Sequence, residues 1–179
     1  MQPIGFSEQL ALLFSEVADQ HHYRQLIVDL WQHLQARLHF PAVIGVTGAQ
    51  GTGKTTLARL LTLYAKEQGV IAASVSLDDY YLDQQQRAAL ASSVHPLLML
   101  RGMPGTHQIR QAIADVKAVL QGKVVSLPSF DKALDQPGPS VQMQQYALLI
   151  VEGWCLGVSP QHPEQLIQPL NQLEATADP

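Results

Sequence analysis

The chain has 179 residues, of which 46% are apolar and 15% are charged, and its formal net charge is −4. This length suits one ordinary domain with a sizeable core, and the apolar content is typical of a folded chain rather than a disordered one. The acidic balance and the absence of any run of Lys or Arg argue against nucleic acid or an anionic membrane surface as a partner.

Three features of the sequence bear on where the protein works. Its apolar runs are far shorter than the ~20 residues that a membrane-spanning helix needs. The N-terminal residues 1–5 lack the basic start and the long apolar stretch of a signal peptide. Cys155 is the single cysteine, which excludes an internal disulfide. We therefore predict a cytoplasmic protein.

Residues 1–40 show helical periodicity. Leu26, Leu30, Leu34 and Leu38 recur every four positions and form one apolar stripe. Such a stripe predicts helices that pack against another part of the chain. We expect an N-terminal helical extension at 1–40 in front of a core domain at 41–179.

In the core domain, short apolar runs alternate with segments of helical spacing. Strands are predicted at 42–46, 70–77, 124–127 and 146–151, helices at 55–67, 83–93 and 107–120, and a loop at 131–140. Strands that alternate with helices predict an α/β fold, with three layers (α/β/α) and a mostly parallel sheet. The continuous apolar run at 146–151 is typical of a strand buried on both faces of such a sheet.

A phosphate-binding pattern, G-x-x-x-x-G-K-[ST], follows the first strand. The loop and the residue after it are Gly48, Ala49, Gln50, Gly51, Thr52, Gly53, Lys54, Thr55 and Thr56. Its glycines allow successive amides to point at phosphate oxygens, and the start of a helix adds its own free amides and dipole. In this pattern the lysine reaches the β- and γ-phosphates, and the Thr hydroxyl binds Mg²⁺. The flanking strand and helix favour this interpretation over a glycine-rich turn with an exposed lysine.

Two carboxylates extend the predicted site. Glu152 ends the strand at 146–151, at the carboxyl edge where open α/β sheets bind ligands, and we predict that it serves Mg²⁺. Asp78 ends the strand at 70–77 and suits a base that accepts the proton of an attacking hydroxyl. Its neighbour Asp79 either caps a turn or helps to hold the metal. Since no Asn-Lys-x-Asp segment is present, we predict ATP rather than GTP.

Together these segments resemble the P-loop kinases of small metabolites, a group that includes uridine kinase, pantothenate kinase and phosphoribulokinase. Within that group the sequence is most similar to plant-type D-glycerate 3-kinases and their bacterial kinase-like relatives. Four segments beyond the phosphate loop carry this likeness: Asp-Asp-Tyr-Tyr-Leu at 78–82, Leu-Arg-Gly-Met-Pro-Gly-Thr-His at 100–107, Leu-Pro-Ser-Phe-Asp-Lys-Ala at 127–133 and Glu-Gly-Trp-Cys-Leu-Gly at 152–157.

The resemblance implies an ATP- and Mg²⁺-dependent phosphotransferase that acts on an alcohol group of a small acid. It implies that Asp78 is the general base, that Lys54 and the loop amides hold the triphosphate, and that Thr55 and Glu152 bind Mg²⁺. The residues that it places at the acceptor are Asp79, Tyr81, Arg101, His107 and Lys132. Each of the last three also has a purely structural interpretation, as a helix cap, a helix start and a solvated loop lysine.

Two departures from the family pattern concern the acceptor and the length. Ser129 stands where a basic residue is expected, and an expected arginine is missing near residues 135–137. Family members also continue for about one further small domain, which resembles a lid with the last strands of the sheet and adenine contacts. We therefore expect the segment 171–179 to correspond to the middle of the family pattern.

Without those later strands, the strand at 42–46 is expected to form an open apolar edge, which is an association hazard. This predicts either a fragment of a longer kinase or a chain that pairs this edge with a partner, such as a second copy.

Three functions remain open from the sequence. The first is phosphorylation of D-glycerate to 3-phosphoglycerate. The second is a kinase of another acceptor: a nucleoside, pantothenate or a sugar. The third, which belongs to a different class, is a nucleotide-binding module without transfer activity, and the chain's shortness relative to the family is its main support.

Overall fold

The computed structural model describes residues 4–140, 143–169, 172 and 175. The predicted N-terminal helices are present as α1 (Phe6–Leu13) and α2 (Val17–Gln35). Their apolar faces bury Phe6, Ile27 and Trp31 almost completely. These side chains belong to the same core cluster as the helix that follows the phosphate loop, so α1 and α2 pack directly on the rest of the chain. The division at residue 40 stays a prediction.

The core domain contains the remaining elements. They are β1 (Ala42–Thr47), α3 (Lys54–Glu67), β2 (Ala72–Ser76), α4 (Gln84–Ser93), α5 (Ile109–Leu120), β3 (Val124–Val125), β4 (Phe130–Asp131), β5 (Gln136–Pro137), β6 (Gln144–Gln145) and β7 (Leu148–Gly153), with short 3₁₀ helices at Leu77–Tyr80, Pro96–Met99 and Pro163–Leu166.

A parallel sheet of three strands in the order β1-β7-β2 forms the centre of the molecule. All six residues of the central strand β7 are buried, as the continuous apolar run predicted. Leu148 and Ile150 face the cluster built with α1, α2 and α3, whereas Leu149 and Val151 belong to the cluster that contains α5. The sheet thus lies between two helical layers, which confirms the predicted α/β fold class.

Strand register brings the functional segments to one edge. Glu152 lies opposite Val46 of β1 on one side and Ser76 of β2 on the other. Because all three strands run in the same direction, the phosphate loop after β1, Asp78 after β2 and the end of β7 meet at the carboxyl edge of the sheet.

The segment 131–140, predicted as a loop, contains a short antiparallel ladder between β4 and β5. Two-residue strands leave no alternating pattern to detect, which explains why the sequence did not reveal this hairpin. Its turn contains Asp135 in the left-handed region at φ 54°, where a non-glycine residue is uncommon.

In the described part of the chain, β1 pairs with β7 alone, so its other side is open, as predicted. The side chains of Val43, Ile44 and Val46 are half-buried. Pairing of this edge with a second copy stays a prediction. The segment 171–179 lies almost entirely outside the described residues.

None of the described helices is both long and apolar enough to span a membrane. The cytoplasmic location predicted from the sequence stays a prediction.

Candidate active site

The phosphate loop connects β1 to α3. Gly51 and Gly53 have φ values of 76° and 83°, in the left-handed region that glycine enters without strain. Gly53 is the N-cap of α3, so the free amides of the first helical turn begin at Lys54. The Lys54 ammonium donates a hydrogen bond of 2.7 Å to the carbonyl of Ala49, within the loop itself. This hydrogen bond ties the start of α3 to the first part of the loop.

Thr55 and Glu152 meet beside this loop. The Thr55 hydroxyl donates to Oε1 of Glu152 at 2.9 Å, and only 6% of Glu152 is exposed. In the described part of the chain, no group of three or more His, Cys, Asp or Glu side chains could hold a metal ion. Mg²⁺ bound with a nucleotide does not need such a group, because phosphate oxygens and water complete its octahedron. One hydroxyl and one carboxylate therefore fit the donor set of Mg²⁺.

Asp78 lies in the 3₁₀ turn that follows β2. Its Oδ2 accepts a hydrogen bond from Nζ of Lys132 at 2.6 Å, and its Oδ1 accepts one from the Tyr81 hydroxyl at 2.9 Å. Burial would raise the pKa of Asp78, but these two hydrogen bonds and the nearby positive charge outweigh it and hold the pKa below its ordinary value of 3.8. Asp78 is therefore an ionised carboxylate at neutral pH.

The carboxylate of Asp79, unlike that of Asp78, is hydrogen-bonded to backbone amides. Its two oxygens accept hydrogen bonds from the amides of Ser76 (2.9 Å) and Phe130 (3.2 Å), so both are occupied. Burial raises its pKa despite these bonds. The contacts of Asp79 tie the hairpin β4–β5 to the turn that carries Asp78, which matches the turn-capping alternative.

Tyr81 and His107 form one wall next to Asp78. The two residues pair through an isolated antiparallel bridge, and their ring centroids lie 4.5 Å apart. Burial and the Asp78 carboxylate raise the pKa of Tyr81, so its hydroxyl stays a donor. Burial lowers the pKa of His107, although the charge of Asp78 opposes this shift. The Nε2 atom of His107 is buried without a hydrogen-bond partner among the described residues. A buried ring nitrogen without a partner is uncommon in folded proteins.

Arg101 contacts the hairpin rather than Asp78. Its Nη1 donates to the carbonyl of Lys132 at 2.9 Å and lies 3.2 Å from Oδ1 of Asp135. Its guanidinium also lies over the Phe130 ring. Arg101 therefore holds the hairpin that presents Lys132 to Asp78.

The sequence did not reveal the role of Arg87, which forms an ion pair with Asp135 in the turn of the β4–β5 hairpin. The segment 83–93 was predicted to be exposed, yet Arg87 on α4 is 2% exposed, donates to the carbonyls of Leu82 and Met99 and forms an ion pair with Asp135. Arg87 and Asp135 are 48 residues apart, so no local pattern connects them.

A cavity of about 290 Å³ brings most of these groups together. Lys54, Thr55, Asp78, Lys132 and Glu152 all line it. Four of the predicted site residues outside the loop are not part of this lining: Asp79, Tyr81, Arg101 and His107.

Replacing Lys132 with Met should shift the pH dependence of turnover. The hydrogen bond and charge of Lys132 lower the pKa of Asp78, so the pKa should rise when both are lost. The fall of kcat/KM on the acidic side of its pH profile reports protonation of the base in the free enzyme. In K132M this fall should therefore occur at higher pH. In the parent protein, the pH at which half of the activity is lost through protonation of Asp78 should lie below 3.8. Lys123→Met, at an exposed position, is the control. An acidic limb that stays in place in K132M would contradict this assignment.

Several of the known proteins to which the chain is similar are kinases. It is 31% identical over 133 residues to "Uncharacterized kinase mug58" of Schizosaccharomyces pombe, a match that covers 67% of this chain and 48% of that protein. It is 28% identical over 177 residues to the chloroplastic D-glycerate 3-kinase of Arabidopsis thaliana, covering 85% of this chain and 38% of that one. Bacterial uridine kinases also match. No protein-family model matches.

Solved structures give the same result for the fold. The D-glycerate 3-kinase of Cryptococcus neoformans superposes with a TM-score of 0.62 at 29% identity, covering 82% of this chain and 55% of that one. The homologues are thus D-glycerate 3-kinase, uridine kinase and related kinases with P-loop kinase folds. The chain spans about half or less of the length of the curated relatives described above.

Proposed function

We propose that this protein transfers the γ-phosphoryl group of ATP to a hydroxyl of a small acid, with D-glycerate as the acceptor and 3-phosphoglycerate as the product. One observation carries the proposal. The ionised carboxylate of Asp78 lines the same cavity as Lys54, Thr55 and Glu152, so a base and a triphosphate site face a shared space.

The nucleotide half of the site would act by position and charge. The amides of residues 49–56 and the Lys54 ammonium would bind the phosphate oxygens, and Thr55 with Glu152 would hold Mg²⁺. Bound Mg²⁺ supplies positive charge that neutralises the charge developing on the phosphate oxygens. The Lys54 ammonium uses one donor on the Ala49 carbonyl and keeps two for phosphate oxygens.

In the transfer step, one oxygen of Asp78 accepts the proton of the acceptor hydroxyl. The freed oxygen forms a bond to the γ-phosphorus, the bond from that phosphorus to the bridging oxygen breaks, and ADP leaves with that electron pair. The Tyr81 hydroxyl and Lys132 hold the Asp78 carboxylate in place until the proton arrives. This is positioning and electrostatic catalysis, as expected for phosphoryl transfer.

Of the residues predicted at the acceptor, Lys132 lines the cavity, and Arg101 contacts the hairpin that carries Lys132. Lys132 is 60% exposed at its side chain and is paired with Asp78, while Arg101 is anchored on Asp135. Cationic and donor groups of this kind recognise a carboxylate.

Two alternatives remain. The acceptor of a related kinase could be a nucleoside, pantothenate or a sugar, and here Ser129 supplies no cation, since its hydroxyl donates to the carbonyl of Pro139 at 2.7 Å. A nucleotide-binding module without transfer is the candidate from another class.

A panel of acceptors with ATP and Mg²⁺ tests the proposal, on this chain and on any longer product of its gene. ADP release is measured with D-glycerate, glycerol, uridine, pantothenate and fructose. The proposal predicts the highest kcat/KM for D-glycerate and far less for glycerol, which lacks the carboxylate. A preference for uridine, pantothenate or fructose would support the second kinase function, and ADP release that no acceptor stimulates would support the binding module.

A further inference from the structure

Asp135 lies between two arginines in the turn of the β4–β5 hairpin. Its Oδ2 accepts a hydrogen bond from Nη2 of Arg87, whose side chain is 2% exposed. Its Oδ1 is buried, makes no hydrogen bond in the described part of the chain and lies 3.2 Å from Nη1 of Arg101. The charge of Arg101 therefore compensates a buried oxygen that no donor satisfies.

Arg87 fixes the position of Asp135. Its Nε and Nη1 donate to the carbonyls of Met99 (3.1 Å) and Leu82 (2.6 Å), so two segments outside the hairpin hold the guanidinium. Among the described residues, Asp135 is the one carboxylate that pairs with Arg87. A buried charge without a partner is costly, so the turn has to bring Asp135 to Arg87. Asp135 adopts φ 54° there, a conformation that is uncommon for residues other than glycine.

The same contacts determine where Lys132 lies. Nη1 of Arg101 donates to the backbone carbonyl of Lys132 at 2.9 Å while it lies beside Asp135. The Lys132 side chain is 60% exposed, and within the described part of the chain its ammonium donates to Asp78 alone, at 2.6 Å. A long exposed side chain loses conformational entropy when it is held in one position. The contact with Asp78 therefore depends on a Lys132 backbone that is already in place.

We propose that Asp135 is a positioning residue for phosphoryl transfer: its pairing with Arg87 and Arg101 fixes the hairpin so that the Lys132 ammonium stays on Asp78. The inference rests on the proposed function, because Asp78 is the base of that reaction. Asp135 is not part of the lining of the cavity that contains Asp78. It therefore acts through Lys132 and not on the substrate.

A double-mutant cycle of Asp135→Asn and Lys132→Met tests the inference. Asparagine tolerates the left-handed conformation and keeps the size of the side chain, so D135N removes the charge alone. D135N should lower kcat/KM for D-glycerate by roughly 10- to 100-fold, because a catalytic group that is misplaced by about 1 Å can cost 100-fold. In K132M, which already lacks the ammonium, adding D135N should lower kcat/KM by less than about twofold.

A structural effect of the lost charge would lower kcat/KM by the same factor in both backgrounds, and that result would overturn the inference. Asp131→Asn is the matched control, because it removes one carboxylate charge from the same hairpin and keeps the hydrogen bonds that Oδ1 accepts from Ala133 and Leu134. D131N should keep the parent kcat/KM. A loss in D131N equal to that in D135N would assign the effect to the charge of the hairpin and contradict the role of Asp135.

The pKa of Asp78, measured without substrate, distinguishes this inference from the proposed function. The ¹³C resonance of its carboxyl group, identified by its loss in D78N, is followed against pH. Lys132 is the one group acting on this carboxylate that lies on the hairpin. Its displacement should therefore raise the pKa of Asp78 in D135N, as its removal does in K132M. Four charged or titratable groups act on the Asp78 carboxylate: Lys132, Tyr81, His107 and Asp79.

Arg101→Met gives the same pKa test without leaving a buried charge unpaired, because Arg87 keeps its partner Asp135. If D135N does not fold, R101M decides the test. The pKa of Asp78 should rise in both variants and stay at the parent value in D131N. A parent-like pKa in D135N and R101M, together with a raised pKa in K132M, would overturn the role of Asp135 and leave the proposed function standing. Unchanged kcat in D78N would instead remove the base of the proposed function, and with it the catalytic role of Asp135.

Discussion

Replacing Asp78 with Asn is expected to lower kcat by about 10²- to 10⁴-fold, the usual contribution of a positioned general base. The amide cannot accept the hydroxyl proton, yet it keeps the size and shape of the carboxylate. The affinity for Mg²⁺–ATP should stay near the parent value, because the loop at 48–56 binds the phosphates. Steady-state kinetics and a nucleotide titration measure the two effects separately.

Asp131→Asn is the matched control for this experiment. Asp131 lies on the neighbouring hairpin and accepts two backbone hydrogen bonds through Oδ1, from Ala133 and Leu134, which an asparagine oxygen can also accept. This variant should keep the parent kcat. Unchanged kcat in D78N would remove Asp78 from the role of base, and a parallel loss of ATP affinity would assign it to nucleotide binding instead.

Replacing Lys54 with Ala should have the second large effect. A charge-assisted hydrogen bond contributes about 1.5–3 kcal/mol, so ATP affinity should fall by roughly 10- to 150-fold. The rate of phosphoryl transfer at saturating ATP should fall as well, because the Lys54 ammonium stabilises the negative charge that develops on the phosphate oxygens in the transition state. Isothermal titration and turnover at saturating ATP distinguish the two losses.

Lys66→Ala provides the comparison, because Lys66 lies exposed in the last turn of the same helix α3. It removes one positive charge from the same element and should leave both quantities unchanged. If K54A bound ATP as tightly as K66A, the loop would not be the triphosphate site.

The sequence predicted those parts of the site that depend on local pattern. Strand ends, the glycine loop and the helix after it are adjacent in the chain, and the rule that parallel strands end at one edge brings Asp78 and Glu152 to the loop. The register of β7 between β1 and β2 agrees with that expectation.

The remaining parts depend on contacts between distant segments. The ion pair of Arg87 with Asp135, the anchoring of Arg101 on the hairpin and the stacking of Phe14 on Tyr23 all require tertiary packing. A buried arginine in a polar helix has the same sequence pattern as a solvated one. The hairpin of β4 and β5 was missed for a similar reason, because its two-residue strands are held by Asp79 and by the ion pairs of Asp135 rather than by strand propensity.

The central claim is that the loop at 48–56 holds a triphosphate whose γ-phosphate faces Asp78. A crystal structure of the protein with Mg²⁺ and a non-hydrolysable ATP analogue tests this most directly. We predict phosphate oxygens within hydrogen-bond distance of the loop amides and of Lys54, Mg²⁺ bound at Thr55 beside Glu152, and the γ-phosphate on the side of Asp78. A nucleotide bound elsewhere, or one whose γ-phosphate points away from Asp78, would contradict the account.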